Sequence, residues 1–479
     1  MAFSFRPDPM VPALGADFAD PVDPADFPLV RERFWNDRWA NDIGLGKLTP
    51  EQRADHFARF DPLDGWPGQP LAMRYHGHQF RQYNPQIGDG RGFLFAQMRD
   101  PAGRLLDFGT KGSGQTPWSR QGDGRLTLKG AIREILAAQM LEALGVYTSK
   151  AFAVFETGDQ LHRHDEPSPA RGAVLTRLQH AHIRFGTFQR HAYEQNTENL
   201  TALVDHCIAA YYPALDDRTG DDRALGLLDE IVGASARLAG EWMAAGFVHG
   251  VLNTDNLNVT GESFDYGPWR FLPYFEPGFT AAYFDEHGLY AFARQPEAVF
   301  WALQQLGVAL SLIVPGEKLV EVLNTFPDRY RTSVGIAFTR RLGIMKTDAS
   351  STDDLIKSAL TFLKEAKTPW EAFFFDHFAQ REMAAPEDRR ALYAGEHYDV
   401  FRAAFDAFAP ERPERLDHPY FRRRDPVHMT IEQMEASFAP IHERDDWTAF
   451  HVLLDDIAQA RLGYDLGAGR VGFVPEETV

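Results

Sequence analysis

The stretch His249-Gly250-Val251-Leu252-Asn253-Thr254-Asp255-Asn256, followed by Phe264-Asp265-Tyr266-Gly267, decides how this chain is read. It places Asp255, Asn256 and Asp265 within one short segment. Asn and Asp oxygens are hard ligands suited to Mg²⁺ or Mn²⁺, and such ions commonly also hold substrate phosphates. Ahead of the stretch, Leu227, Leu228, Ile231, Val232, Leu238, Trp242 and Met243 keep helical spacing, and Gly246 ends the run. Behind Asn256, Leu257 to Val259, a turn at Gly261-Glu262, and Ser263 to Tyr266 predict a short hairpin.

Polyphosphate needs cations, and the composition makes them conspicuous. The 479-residue chain carries a formal charge of −19, which argues against broad binding to nucleic acid or to an anionic membrane. Any polyphosphate site is therefore a local cluster of Arg and Lys. Hydrophobic residues make up 44%, enough for a sizeable core. Cys207 is the only cysteine, so no intrachain disulfide can form, and this suits a reducing compartment. Met1 to Met10 has no apolar targeting core, and Asp8 and Asp17 argue against a transit peptide. The run Val299 to Val314 is broken by Gln304-Gln305 and suits a buried helix rather than a membrane span. A soluble cytoplasmic protein is expected, with neither nucleic acid nor membrane as partner.

Residues 1–70 are rich in Pro and Asp, with a helical patch near Leu29 to Trp39, and suit an extension that packs on the body. From 71 to about 180 strand signals dominate. Phe93 to Met98, a turn at Asp100-Pro101-Ala102-Gly103, and Arg104 to Thr110 predict a hairpin ending at Lys111. Thr127 to Leu144 predicts a helix stopped by Gly145, with Glu134 off its apolar stripe. Phe152 to Glu156 and Ala173 to Leu178 predict further strands. Residues 181–479 are mainly helical, with candidates at Pro296 to Leu312, Ser351 to Glu365, Arg389 to Phe408 and Thr430 to Ala436.

The cations fall at telling places. Lys111 ends a strand and Glu134 lies on the next helix, although any strand–helix unit offers such a pair and a surface salt bridge is its ordinary role. Gly88, Gly90 and Gly92 interleave with Asp89 and Arg91, so backbone N–H groups can approach a phosphate there; a tight turn before a strand is the plain alternative. Gln121-Gly122-Asp123-Gly124-Arg125 repeats the pattern ahead of the helix. Arg177 and Arg184 are further cations whose default place is solvated surface. His76 and His78 lack a third ligand for zinc, and Ser113, Ser119 and Cys207 lack a nearby base for a hydrolase triad.

The order of these parts is that of protein kinases: a strand Lys, a helix Glu, an Asn loop, then Asp-Tyr-Gly in place of Asp-Phe-Gly. With His249 laid on the kinase catalytic-loop His, Asn256 falls on the Asn, but Val251 stands where the base should be.

Tyr75-His76-Gly77-His78-Gln79-Phe80, Gly88-Asp89-Gly90-Arg91, Lys111-Gly112-Ser113-Gly114, Thr116-Pro117-Trp118-Ser119-Arg120, Ile132-Arg133-Glu134, Ala173 to Arg177, His182-Ile183-Arg184-Phe185-Gly186 and His249 to Asn256 together resemble the selenoprotein O (SelO/YdiU) family over at least residues 71–300. The resemblance implies an α+β, protein-kinase-like two-lobed fold with a strand-rich N-terminal lobe and a mainly helical C-terminal lobe. It implies ATP as substrate, bound in a flipped pose, with AMP passing to Ser, Thr or Tyr hydroxyls of proteins and pyrophosphate leaving; UMP transfer with Mn²⁺ is also attributed to the bacterial branch. Carried over by motif, Gly88, Gly90, Arg91, Lys111, Asp123, Gly124, Arg177, Arg184 and Asp265 line the nucleotide site, and Glu134 sets Lys111. Asn256 and Asp265 hold the metal, and Asp255 is the base. Two departures stand out: Gln115 where the family often has Arg, and a terminal Pro475-Glu476-Glu477-Thr478-Val479 without the cysteine or selenocysteine of many relatives. Disulfide-based redox control is therefore not expected. A kinase-like phosphotransferase and an inactive nucleotide-binding scaffold are the competing readings.

Overall fold

The computed structural model describes residues 4–164, 166–345, 347–381 and 385–467. The terminal segment without a cysteine lies outside them. The chain is a mixed α/β protein built on an eight-stranded sheet. Its strands are β1 (Ala19–Pro21), β2 (Arg31–Trp35), β3 (Leu71–Met73), β6 (Leu94–Arg99), β7 (Leu105–Lys111), β8 (Leu126–Thr127), β9 (Lys150–Leu161) and β10 (Ala170–Gln179), and β4 (Gly77–Gln79) with β5 (Gln82–Asn84) forms a separate hairpin. The order across the large sheet is β1-β3-β6-β7-β10-β9-β2, with β8 joined to β10, and the named pairings are antiparallel. The N-terminal segment thus closes both edges of the sheet.

The β6–β7 hairpin forms where the turn chemistry places it. Asp100 Oδ1 accepts from Ala102 N and Arg104 N at 2.9 Å each, and Gly103 takes the left-handed conformation at φ 81°. Successive residues then face opposite sides. Leu94, Leu105, Val154 and Leu175 join the cluster beneath α3 (Leu128–Ala143), whereas Phe93, Phe95, Phe108 and Phe152 meet Trp35, Trp39 and Phe57 on the other side. Each such buried aromatic contributes about 1.5–3 kcal/mol of hydrophobic stabilisation. Phe57 comes from α2 (Pro50–Phe57) and Trp39 from α1 (Asp37–Asp42).

The helical patch expected near Leu29 to Trp39 is a strand followed by a short helix. Glu32 pairs with Phe155 and Trp35 with Ala153 across the β2–β9 ladder, and Asn36 caps α1 by accepting from Trp39 N. Pairing with a strand about 120 residues away overrides local helical spacing.

Helices follow the sheet: α4 (Phe185–Tyr193), α5 (Thr197–Tyr211), α6 (Asp221–Ala245), α7 (Gln295–Leu310), α8 (Gly316–Leu323), α9 (Phe326–Leu342), α10 (Ala349–Ala366), α11 (Trp370–His377), α12 (Glu387–Arg390), α13 (Glu396–Phe405), α14 (Ile431–Arg444) and α15 (Thr448–Tyr464). Gly246, left-handed at φ 64°, ends α6. The single helix expected from Arg389 to Phe408 is divided, with Gly395 at φ 91° preceding α13. Strands β11 (Phe247–Val248) and β12 (Arg270–Phe271) pair with each other and bracket the stretch from His249 to Trp269. The hairpin expected between Leu257 and Tyr266 does not form. Asn258 instead bridges to Arg184 and Ser263 to Thr148, so each half is bound to a different part of the body.

The last two helices return to the sheet. Glu156 of β9 receives Arg33 at 2.7 Å and both Arg171 Nε and Nη2 at 2.6 and 2.7 Å, and the same two arginines reach Asp445 at the end of α14. Burial opposes ionisation of Asp445, but bonds from Trp447, Arg171 and Arg33 hold its carboxyl well below the usual range. No helix among the described residues is long and apolar enough to cross a membrane.

Candidate active site

Lys111, the last residue of β7, is the hub. Its Nζ donates to Glu134 Oε1 at 2.5 Å and to Asp265 Oδ1 at 2.7 Å. Glu134 extends from α3 and is 2% exposed, so the pair is buried rather than the surface bridge that spacing alone would allow. Arg177 of β10 closes the group, 4.0 Å from Glu134 Oε2 and 3.5 Å from Asp265 Oδ1. Asp265 is held left-handed at φ 62°, a strained state for a residue other than Gly. Burial would raise its pKa, but Lys111, Arg177, Arg184 and Arg91 outweigh that and keep the carboxyl well below the usual range. It is a fixed carboxylate.

Phe264 links this group to a second one, its ring lying 5.8 Å from Arg177 and 5.0 Å from Arg184. Arg184 precedes α4 and is 6% exposed. It donates to the Asp255 carbonyl at 2.8 Å and to Asp89 Oδ1 at 3.2 Å, and its guanidinium lies 4.6 Å from the Tyr75 ring. Asp89 Oδ2 in turn accepts from Met73 N at 3.1 Å, which fixes the Gly88-Asp89-Gly90 loop to the sheet.

Asp255 and Asn256 sit on a single 3-10 turn, Thr254–Asn256. Asn256 Nδ2 donates to the Val251 carbonyl at 3.0 Å, which sets the amide. Asp255 is 8% exposed, and its Oδ1 has no hydrogen-bond partner among the described residues. Burial pushes its pKa up to about 6, against the opposing pull of Arg184. A carboxylate in that range suits general-base work near neutral pH. His249 ties the two stretches together: its Nε2 donates to the Phe264 carbonyl at 2.9 Å, and its N–H donates to Gln295 Oε1 at 2.9 Å.

The glycine loops pack closely. A Cβ on Gly88 would fall 2.5 Å from the Trp118 ring, and Ser119 Oγ donates to the Gly90 carbonyl at 2.5 Å. Gly124, at φ 68°, leaves no room for a side chain: a Cβ would lie 2.2 Å from the Gly114 carbonyl, and Gly114 N donates to Gly124 O at 3.2 Å. The second loop therefore lies on the turn that follows Lys111. Asp123 is paired with Arg163 at 2.8 Å and caps Arg125 N at 3.0 Å. Arg91 is exposed and contributes through its charge on Asp265. Gln115 spans the loops by donating to the Gly122 carbonyl at 2.8 Å.

Spacing alone missed several residues. Asp89 anchors Arg184; Asn253, Thr254, Gln189 and His78 brace the Asp255 turn. His76 and His78 hold no metal cluster among the described residues: His76 Nδ1 meets Tyr83 Oη at 2.7 Å and His78 Nδ1 meets Gln189 Nε2 at 2.8 Å. The one available signal was Gly77 between the two histidines. Cys207 is fully buried, and burial pushes its thiol far up.

The family model described as protein adenylyltransferase SelO matches residues 2–458. Among similar proteins, the protein nucleotidyltransferase YdiU of Synechocystis sp. is 46% identical over 375 residues, covering 77% of this chain and 78% of the relative. The YdiU protein of Trichormus variabilis is 43% identical, covering 94% and 95%, and that of Gloeobacter violaceus is 40% identical, covering 93% and 94%. With matches this long and this similar, the chain belongs to the SelO family of protein adenylyltransferases.

Proposed function

We propose that the chain transfers AMP from ATP to Ser, Thr or Tyr hydroxyls of proteins and releases pyrophosphate, within a kinase-like two-lobed fold. The observation that carries this reading is a buried Lys111–Glu134 pair bonded to the partly exposed Asp265, together with a buried Asp255, where the kinase base position holds Val251. Phosphate-transfer chemistry depends mainly on positioning and charge neutralisation. Lys111, Arg177 and Arg184 supply fixed positive charge to the phosphates, with Arg91 at the mouth. Gly88, Gly90, Asp123 and Gly124 line the loops beside them. Asp255 accepts the acceptor hydroxyl proton as its oxygen attacks the α-phosphorus. The α–β bridging P–O bond breaks, and the electron pair leaves with pyrophosphate.

The donor set fits a hard divalent cation: Asn256 with its amide fixed and the ionised Asp265. Mg²⁺ or Mn²⁺ held by Asn256 and Asp265 would neutralise phosphate charge. UMP transfer from UTP belongs to the same reading, as does a cytoplasmic location. The sheet up to residue 180 and the helices after it would form the two lobes, with residues 1–70 packed on the first.

The test uses ATP labelled at the α or the γ phosphorus, with Mg²⁺. Label on protein from α-ATP, with pyrophosphate as product, is expected. Label from γ-ATP alone, with ADP formed, would establish the phosphotransferase instead. No turnover of either nucleotide would leave the nucleotide-binding scaffold.

A further inference from the structure

The β4–β5 hairpin is built around a strained turn. Phe80 and Arg81 form its two-residue loop at φ 50° and 63°, the pair of left-handed conformations that Asn-Gly normally supplies in this kind of hairpin. Neither residue favours that state, so contacts outside the hairpin must hold it. Those contacts converge on the turn carrying Asp255. Phe80 N donates to Asn253 Oδ1 at 3.0 Å, and Tyr290 Oη donates to the same oxygen at 2.9 Å. His78 N donates to Thr254 Oγ1 at 2.7 Å, and that hydroxyl donates in turn to Gln189 Oε1 at 2.6 Å. Gln189 Nε2 then donates to His78 Nδ1 at 2.8 Å, which closes a ring of three residues around Thr254. Arg81 is fixed by Glu297 at 3.0 Å and lies 5.4 Å from the Trp301 ring.

Gly77 occupies the tightest point. A Cβ there would lie 2.9 Å from Asp255 Oδ1, 3.0 Å from Ile87 Cδ1 and 3.2 Å from Thr254 Oγ1. Gly77 is not left-handed; a side chain there would press on the Asp255 carboxylate, Ile87 and Thr254.

We infer that the β4–β5 hairpin is a positioning clasp for Asp255, in which Gly77 leaves the space for the carboxylate and the Thr254–Gln189–His78 ring sets the turn that aims it. This rests on the proposed role of Asp255. Among the described residues neither Gly77 nor Thr254 bonds to the Lys111 group, so nucleotide binding and transfer respond differently to their loss.

The test measures protein-bound label from α-labelled ATP with casein as bulk acceptor, together with equilibrium ATP affinity, on the full chain. For Gly77→Ala and Thr254→Val, kcat falls about 10- to 100-fold, the cost of a displacement on the order of an ångström. KM and affinity for ATP stay within about twofold, the signature of an interaction that serves the transition state. Thr254→Ser, which restores the hydroxyl, recovers kcat to within about threefold of wild type. Unchanged kcat in Gly77→Ala and Thr254→Val overturns the clasp, and so does loss of ATP affinity in step with kcat, or a Thr254→Ser no better than Thr254→Val. If Gly77→Ala does not fold, the Thr254 pair decides. The underlying reading is judged separately: Asp255→Asn at the wild-type rate, or label from γ-ATP alone, sinks that reading whatever the hairpin variants do.

Discussion

Replacing Lys111 by methionine separates what the buried ion group does for folding from what it does for chemistry. The substitution keeps most of the side-chain volume and removes the charge. Glu134, at 2% exposure, then has Arg177 at 4.0 Å as its nearest remaining ion-pair partner, and Asp265 keeps Arg177 at 3.5 Å. Removing one partner of a buried pair costs about 3–5 kcal/mol when nothing replaces it. The nearby Arg177 offsets part of that, so about 3 kcal/mol is expected for Lys111→Met, seen as a fall of several degrees in thermal midpoint. Adding Glu134→Gln removes the stranded carboxylate and leaves a cost of about 1 kcal/mol. Transfer from α-labelled ATP behaves differently: both variants lose about 100- to 1,000-fold, because the charge facing the phosphates is gone in each. Thermal unfolding and labelling are measured on the same preparations at neutral pH. A single variant as stable as wild type would refute the buried-pair argument, and a double variant that regains transfer would refute the phosphate role of Lys111.

Three further outcomes follow from other residues. Glu262 is buried, and burial pushes its pKa up to about 7 against the pull of Lys150 and the His180 N–H; its stabilising contribution is complete below the unfolded value of 4.5 and is lost as pH rises through about 7. Glu262→Gln is therefore expected to gain stability over wild type at pH 8 by at most roughly 3 kcal/mol and to gain nothing at pH 4, and equal gains at both pH values would contradict the assignment. Gly124→Ala, with φ 68° and a Cβ 2.2 Å from the Gly114 carbonyl, should cost about 2 kcal/mol or more and weaken ATP binding, as read by thermal unfolding and by titration. Chelation with EDTA should abolish protein labelling, and Mg²⁺ or Mn²⁺ should restore it in wild type but not in Asp265→Ala; labelling that persists through chelation would remove the metal from the site.

Much of the scaffold was legible because its signals are local. The β6–β7 turn rests on Asp100 bonding its own neighbours, α3 is capped by Thr127 through Gly130 N, and α6 stops at a left-handed Gly246. Each depends on residues within a few positions, and so a linear reading finds them. The order Lys111, Glu134, Asp255, Asn256, Asp265 was legible as an order of residue types, the one protein kinases share.

What the linear reading lost depends on partners far apart in the chain. The segment at Arg31–Trp35 is a strand because β9 completes its ladder, and the Leu257–Tyr266 hairpin is replaced by bridges to Arg184 and Thr148. Glu134 could not be recognised as buried, nor Asp89 as the anchor of Arg184, from any local pattern. The stretch from His249 to Asn256, with Asp265 beyond it, declared by itself a set of oxygen donors and a missing base. Only the tertiary structure decided how Asp255 is held, because His78 reaches Thr254 across 176 residues and Gly77 meets the carboxylate itself. Residue types specify which groups can bond, but folding alone determines which of them come within reach.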